Sequence, residues 1–186
     1  MGPWPALGPA VAAHGLEGAT LALPEVPVEP PVWAHLVAGA GHERITGLLV
    51  RAILDGALPA TSEQTEEAGL AHRASMVAAL ALEATLVGAA ALLEGAGIDH
   101  RVLKGTGVAH LDYPDPALRS FGDVDLLVRS SQFDDAVEVL VAVGHRRKFP
   151  EPRPARCSTP TRPTRTATAA EASSSVAIAA ETDMTD

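Results

Sequence analysis

The sequence predicts an α/β (α+β) chain with three parts: a helical N-terminal region, an incomplete sheet unit flanked by helices, and a disordered C-terminal tail. Three observations carry this expectation. Apolar residues recur at helical spacing between Val32 and Glu94. After Gly95 and Gly97 the period changes to short, β-branched runs at Ile98–Leu103 and Val124–Val128. Beyond His145, Pro150, Pro152, Pro154, Pro160 and Pro163 are separated by Thr, Ser, Arg and Ala, with neither helical nor strand periodicity. The expected divisions are a flexible Pro/Gly-rich leader at 1–31, a helical region at 32–95, a partial core at 96–145 and the tail at 146–186.

Taken in order, Pro24, Pro27, Pro30 and Pro31 exclude a continuous helix through the leader. From Val32 to Leu58 the spacing of Leu36, Ile45, Leu48, Leu49, Ala52 and Ile53 predicts two short helices, with Gly39 and Gly41 as interruptions and Gly56 and Pro59 as the end. Thr61 and Gln64 form a capping-box pair, and Glu63, Glu66 and Glu67 complement the dipole of the helix they open. That helix is expected to run to Leu93 or Glu94, with an apolar face through Leu70, Val77, Leu80, Ala84, Val87 and Ala91. The strand Ile98–Leu103 then meets Lys104-Gly105-Thr106-Gly107. A short helix over Val108–Asp112 and the turn Tyr113-Pro114-Asp115-Pro116 follow. The strand Val124–Val128 leads to a helix capped by Ser130 or Ser131, with Phe133, Ala136, Val137, Leu140 and Val141 on one face.

The composition excludes several classes of function. Apolar residues make up 47% of the chain but aromatic residues only 3%, so the area each core residue can bury is small. A net charge of −9 argues against a nucleic-acid partner, because phosphate binding draws on clustered cations. Half of the 14 basic residues fall after Gly144, which leaves an acidic body and a locally basic tail. Cys157 is the single cysteine, so neither an internal disulfide nor a Cys-based zinc site can form. The first cation is Arg44, so no basic signal region opens the chain, and Glu83 and Glu94 interrupt the most apolar stretch. A soluble cytoplasmic protein with no membrane partner is expected.

Asp123-Val124-Asp125 opens the second strand, and residues two apart on a strand share a face, so both carboxylates can project together while Val124 turns to the core. Converging carboxylates call for a cation, and Mg²⁺ takes one or two carboxylates together with substrate phosphates and water. Lys104-Gly105-Thr106 stands where a strand meets a helix. There glycine permits close approach of a phosphate to backbone N–H groups, and Lys104 adds a point charge. An exposed strand start shows the same D-x-D pattern, and an ordinary strand-to-helix turn the same glycine, so neither motif fixes the chemistry alone.

Together, Gly97-Ile98, Leu103-Lys104-Gly105, Tyr113-Pro114-Asp115-Pro116, Arg119 and Gly122-Asp123-Val124-Asp125-Leu126-Leu127-Val128 are more specific. In order and spacing this segment, from about Leu92 to Gly144, resembles the uncharacterised bacterial nucleotidyltransferase family of the DNA-polymerase-β-like superfamily. The resemblance implies a small mixed sheet flanked by helices, Asp123 and Asp125 as catalytic metal ligands for Mg²⁺ holding an NTP, and transfer of a nucleotidyl group to a hydroxyl acceptor. It also implies that Lys104, Gly105 and Thr106 lie where the superfamily holds the triphosphate, with Gly-Thr here in place of Gly-Ser. Arg119 is implied to lie near the phosphates or to brace the aspartate strand.

The superfamily's third carboxylate comes from a later strand, and no acid after Asp125 stands in a strand pattern. Two strands are also few for a stable sheet. These departures lead to an expectation of C-terminal truncation or a shifted frame, and to an alternative function as a non-catalytic nucleotide- or protein-binding remnant. The remaining candidates are weaker. The seven histidines lack zinc-motif spacing, Ser158 and Ser173–Ser175 lack nucleophile-elbow glycines, and Arg146-Arg147-Lys148 lacks aromatic platforms for nucleic acid.

Overall fold

The computed structural model describes residues 4–146 and 176–181. Six helices and three strands occur among them in the order α1 (Trp4–Ala13), α2 (Pro30–His42), α3 (Thr46–Leu54), α4 (Ser62–Gly95), β1 (His100–Leu103), α5 (Gly105–Leu111), β2 (Val124–Arg129), α6 (Phe133–Ala142) and β3 (Val176–Glu181). The segment read as a leader therefore contains a helix, and Val11 of α1 is fully buried against the helices that follow. Gly39 and Gly41 are absorbed into α2. The break between α2 and α3 falls instead at Glu43–Ile45, where Arg44 takes the left-handed conformation at φ 61°.

Helix α4 starts as its capping box dictates. The Thr61 N–H donates to Gln64 Oε1 at 3.0 Å, and the Gln64 N–H donates to Thr61 Oγ1 at 3.2 Å. The Gln64 side-chain amide also donates to the Val28 carbonyl at 2.9 Å, which ties the segment before α2 to the start of α4. At the other end Gly97 adopts φ 71°, and the Ile98 N–H reaches back to the Leu93 carbonyl at 2.9 Å. Leu93 and Ile98 are both buried beside this bond, the usual apolar companion of such a helix stop.

The 34 residues of α4 serve two cores. Ala68, near its start, joins Trp33, Leu36, Ile45, Leu49, Ala52 and Leu58 of the N-terminal helices. Ala79, Leu82, Leu86, Ala89 and Leu93 join Val124, Leu126 and Val128 of β2, with Ala109 of α5 and Ala136 and Leu140 of α6. The buried face is not the expected one, because Leu70, Val77, Leu80, Ala84, Val87 and Ala91 are all exposed. The helix carries Ala, Leu and Val on every side, so apolar spacing alone cannot select which side packs. Glu83 lies inside the helix, and with Glu94 it does not shorten the apolar run as expected. By length and composition alone α4 is long and apolar enough to cross a membrane.

The sheet is three-stranded and mixed, in the order β1-β2-β3. Strand β1 pairs antiparallel to β2 and β3 runs parallel to it, so β2 is central. Its burial alternates, with Val124, Leu126 and Val128 in the core, as strand geometry requires. β3 corrects the expectation of a tail wholly without structure, since Val176–Glu181 supplies the strand that two strands alone lack. A further correction concerns α6. A 3₁₀ turn at Ser130–Gln132 precedes it and no serine caps it; the Gln132 amide instead donates to the Gly97 carbonyl at 3.1 Å. Cys157, Arg147, Lys148 and Ser158 lie outside the described residues.

Replacing Thr61 by Ala removes one half of the capping box and is expected to lower unfolding stability by about 1 kcal/mol, read from urea denaturation. His72 on α4 is partly buried with its Nδ1 unpartnered. Burial pushes its imidazole below the ordinary 6.5; the Asp115 carboxylate opposes this shift and Arg73 adds to it. The unfolded chain therefore takes up the proton first, so this contribution is full above pH of about 6.5 and is lost as the pH falls further. The drop in Tm between about pH 7.5 and about pH 5.5 is expected to shrink in His72→Gln relative to the unaltered chain.

Candidate functional site

The antiparallel register places Leu103 opposite Asp125, so the residue that follows β1 lands beside the start of β2. That residue is Lys104, and its Nζ lies 3.6 Å from Asp125 Oδ2. Asp123 stands just before the strand and is exposed, while Asp125 is half-buried and Val124 between them is in the core. Asp125 and the predicted lysine thus meet at one corner of the sheet, with Asp123 two residues earlier on the chain that enters β2.

Lys104 holds φ 51° and ψ −145°, a conformation glycine adopts readily and L side chains avoid. A non-glycine residue kept there costs of order 1–3 kcal/mol, which the surrounding structure must offset. The next residue shows what the backbone gains. A Cβ on Gly105 would lie 3.3 Å from the Asp123 carbonyl and 3.4 Å from Phe121 Cβ, so the turn presses directly on the chain entering β2. Thr106 follows in the first turn of α5, with its Oγ1 buried and without a hydrogen-bond partner.

The N-terminal helices brace this corner from the other side. Gly47 of α3 lies on the 3₁₀ turn Pro116–Leu118, where a Cβ would overlap the Ala117 carbonyl and Leu118 Cα. That turn is opened by Asp115, whose side chain accepts from the Ala117 N–H at 2.9 Å. Arg119 Nη1 donates to the Glu43 carbonyl at 2.9 Å, and Ser120 Oγ donates to the Arg44 carbonyl at 3.3 Å. Arg119 thus bonds the α2–α3 turn, not the aspartate strand itself.

These bonds fix the α2–α3 turn and with it Arg44, a residue that the motif reading missed. The Arg44 guanidinium packs on Gly122, where any Cβ would overlap it. A cation on a braced turn therefore stands against the residue before Asp123, supplied by an element far away in sequence. The chain offers one local hint, a glycine immediately before the aspartate pair where a larger side chain would close the space.

The donor set can be tested against a divalent cation. Among the described residues no group of three or more His, Cys, Asp or Glu converges as a metal cage. β3 does not change this, because its register sets Ala177 beside Asp125 and Glu181 beside Arg129, about 13 Å further along the strand. Two hard carboxylates at one corner suit a cation that arrives with a polyphosphate and completes its shell with phosphate oxygens and water. They do not suit a cation held by protein alone. The cleft lined by Pro27, Val28, Pro30, Trp33, Thr61 and Gln64 is lined by none of these residues.

A protein-family model described as uncharacterised nucleotidyltransferase matches residues 29–175. The match thus takes in the bracing helices as well as the aspartate strand. No curated protein and no solved structure matches the chain.

If the Lys104 backbone is held for function at the expense of stability, Lys104→Gly is expected to raise unfolding stability by about 1 kcal/mol in urea denaturation. That figure is the released strain less the added freedom of glycine in the unfolded chain. Lys104→Ala, which keeps the strained conformation, is expected to give no such gain.

Proposed function

The chain belongs to the uncharacterised nucleotidyltransferase family, and on that premise we propose that it transfers a nucleotidyl group from an NTP to a hydroxyl acceptor with Mg²⁺. The observation that carries the reading is the meeting of Lys104 with Asp125 at one corner of the sheet, with Asp123 at the entry to the strand and Arg44 packed on Gly122 beside it. Family membership gives the coarse role of nucleotidyl transfer; the metal, the nucleotide and the acceptor are our reading of this corner.

In this reading Asp123 and Asp125 hold the metal, which when bound neutralises phosphate charge and lowers the barrier to attack on the α-phosphorus. Lys104 leaves its weak ion pair with Asp125 to meet the triphosphate, an exchange of small cost because its ammonium is largely exposed. Gly105 lets the turn close on the chain entering β2, and the Thr106 hydroxyl, unpartnered but buried, becomes a donor to phosphate only where the turn opens. Arg44 adds positive charge at the opposite side, and Arg119 holds the Arg44 turn in place through the Glu43 carbonyl. The acceptor oxygen forms a bond to the α-phosphorus as the bond to the β-phosphate oxygen breaks. Pyrophosphate leaves and the hydroxyl proton passes to solvent. Positioning and fixed charge do most of this work, as is usual where no protein nucleophile takes part.

A second reading rests on one specific observation, that β3 sets Ala177 beside Asp125 where a third carboxylate would complete a two-metal site. The corner then binds nucleotide without transferring it. The readings separate in one assay. With α-phosphate-labelled NTP, Mg²⁺ and a panel of hydroxyl acceptors, the enzyme reading expects label in a product with pyrophosphate released. Asp123→Asn and Asp125→Asn are each expected to slow this at least about a hundredfold. Binding without pyrophosphate on any acceptor supports the second reading, and equal release by the double variant contradicts the first.

A further inference from the structure

The outward face of α4 is apolar over most of its length. Leu70, Val77, Leu80 and Val87 are 55%, 68%, 58% and 68% exposed, and Ala74, Ala81, Ala84, Gly88 and Ala91 lie exposed between them. Ser75, Glu83 and Thr85 lie off the exposed stripe, where Glu83 Oε1 accepts from His110 Nε2 at 2.7 Å, and between Leu70 and Glu94 the charged side chains on the stripe are Arg73 and Glu94 near its ends. From Leu70 to Glu94 the face is about 36 Å long at 1.5 Å per residue. With the width of a helix it reaches the few hundred Å² at which an apolar patch marks an interaction site.

Leu70, Val77, Ala84 and Ala91 recur every seven residues, and Arg73, Leu80, Val87 and Glu94 recur every seven between them. Two interleaved seven-residue series on one face form the seam of a helix pair. The small residues beside them allow close approach of the two backbones. Charge decides both partner and direction. Arg73 closes one end of the seam and Glu94 the other, and neither has an ion-pair partner among the described residues. A parallel copy would set Arg73 against Arg73 and Glu94 against Glu94. An antiparallel copy layers Val77 on Val87 and Leu80 on Ala84, and brings each Arg73 within one turn of the other copy's Glu94.

We propose that α4 pairs with α4 of a second copy of this chain, antiparallel across the seam from Leu70 to Glu94. The arrangement sets the sheet unit of each copy, which packs on the C-terminal half of α4, beside the N-terminal helices of the other. A bilayer crossing is a poorer occupant. The opposite face of α4 is packed along its length against α2, α3, α6, β1 and β2, which would have to enter the bilayer with it.

The test is the solution mass of the full chain by light scattering after size exclusion, at several concentrations. The expected result is twice the 19.1 kDa chain mass. Val77→Glu with Ala84→Glu is expected to give a monomer with unchanged helical circular dichroism, because both positions are exposed. Arg73→Glu and Glu94→Arg are each expected to weaken association at least about tenfold, and the two together to restore it. A monomeric unaltered chain overturns the proposal, whether or not it floats with phosphatidylcholine vesicles; so does a dimer that survives the double Glu variant. Failure of the charge pair to rescue overturns the antiparallel arrangement.

Discussion

In the pairing of β1 with β2, Leu103 stands opposite Asp125, and the meeting of Lys104 with Asp125 at the candidate site follows from that register. Side chains alternate along a strand, so a slip of one residue would turn both aspartates into the core and Val124 out. The register is protected by what lies beneath it. Val124, Leu126 and Val128 are buried against Leu82, Leu86, Ala89 and Leu93 of α4, and moving them to solvent would cost roughly 1.5–3 kcal/mol for each large side chain exposed. Given the register, Lys104 has nowhere to go but the corner of the sheet, and the left-handed conformation it adopts is the consequence.

The helical region is part of the same construction. Gly47 brings α3 onto the Pro116–Leu118 turn, and the Glu43 and Arg44 carbonyls are bonded by Arg119 and Ser120. The path into β2 is thereby held from one side by the α2–α3 turn and from the other by Gly105 pressing on the Asp123 carbonyl. Because α4 contributes to both cores, loosening either end of it disturbs the support of the aspartate strand. The match to the family from residue 29 onward covers this whole construction and not the aspartate motif alone.

What could be read from the sequence was what is decided locally. The capping box at Thr61 and Gln64, the glycine stop at Gly97 and the alternation of β2 each depend on residues within a few positions of one another. What could not be read was decided by contacts between distant segments. α4 is apolar on every side, so its packed face is chosen by the sheet and not by its own pattern. Val176–Glu181 is rich in alanine, a residue with little intrinsic strand preference, and becomes a strand because β2 offers it a free edge. Arg44 reaches the site through a turn that no motif spacing connects to Asp123.

The central claim is that the corner formed by Lys104, Gly105, Asp123 and Asp125 receives a metal-bound nucleotide. The most direct measurement is a ¹H–¹⁵N spectrum of the full chain with an NTP and trace Mn²⁺ in place of Mg²⁺, since the paramagnetic ion broadens amides near it. The account predicts selective loss of the Gly105, Thr106, Asp123, Val124 and Asp125 signals, with those of α1 intact and the effect absent without nucleotide. Broadening centred elsewhere, or none at any of these five amides, would contradict it.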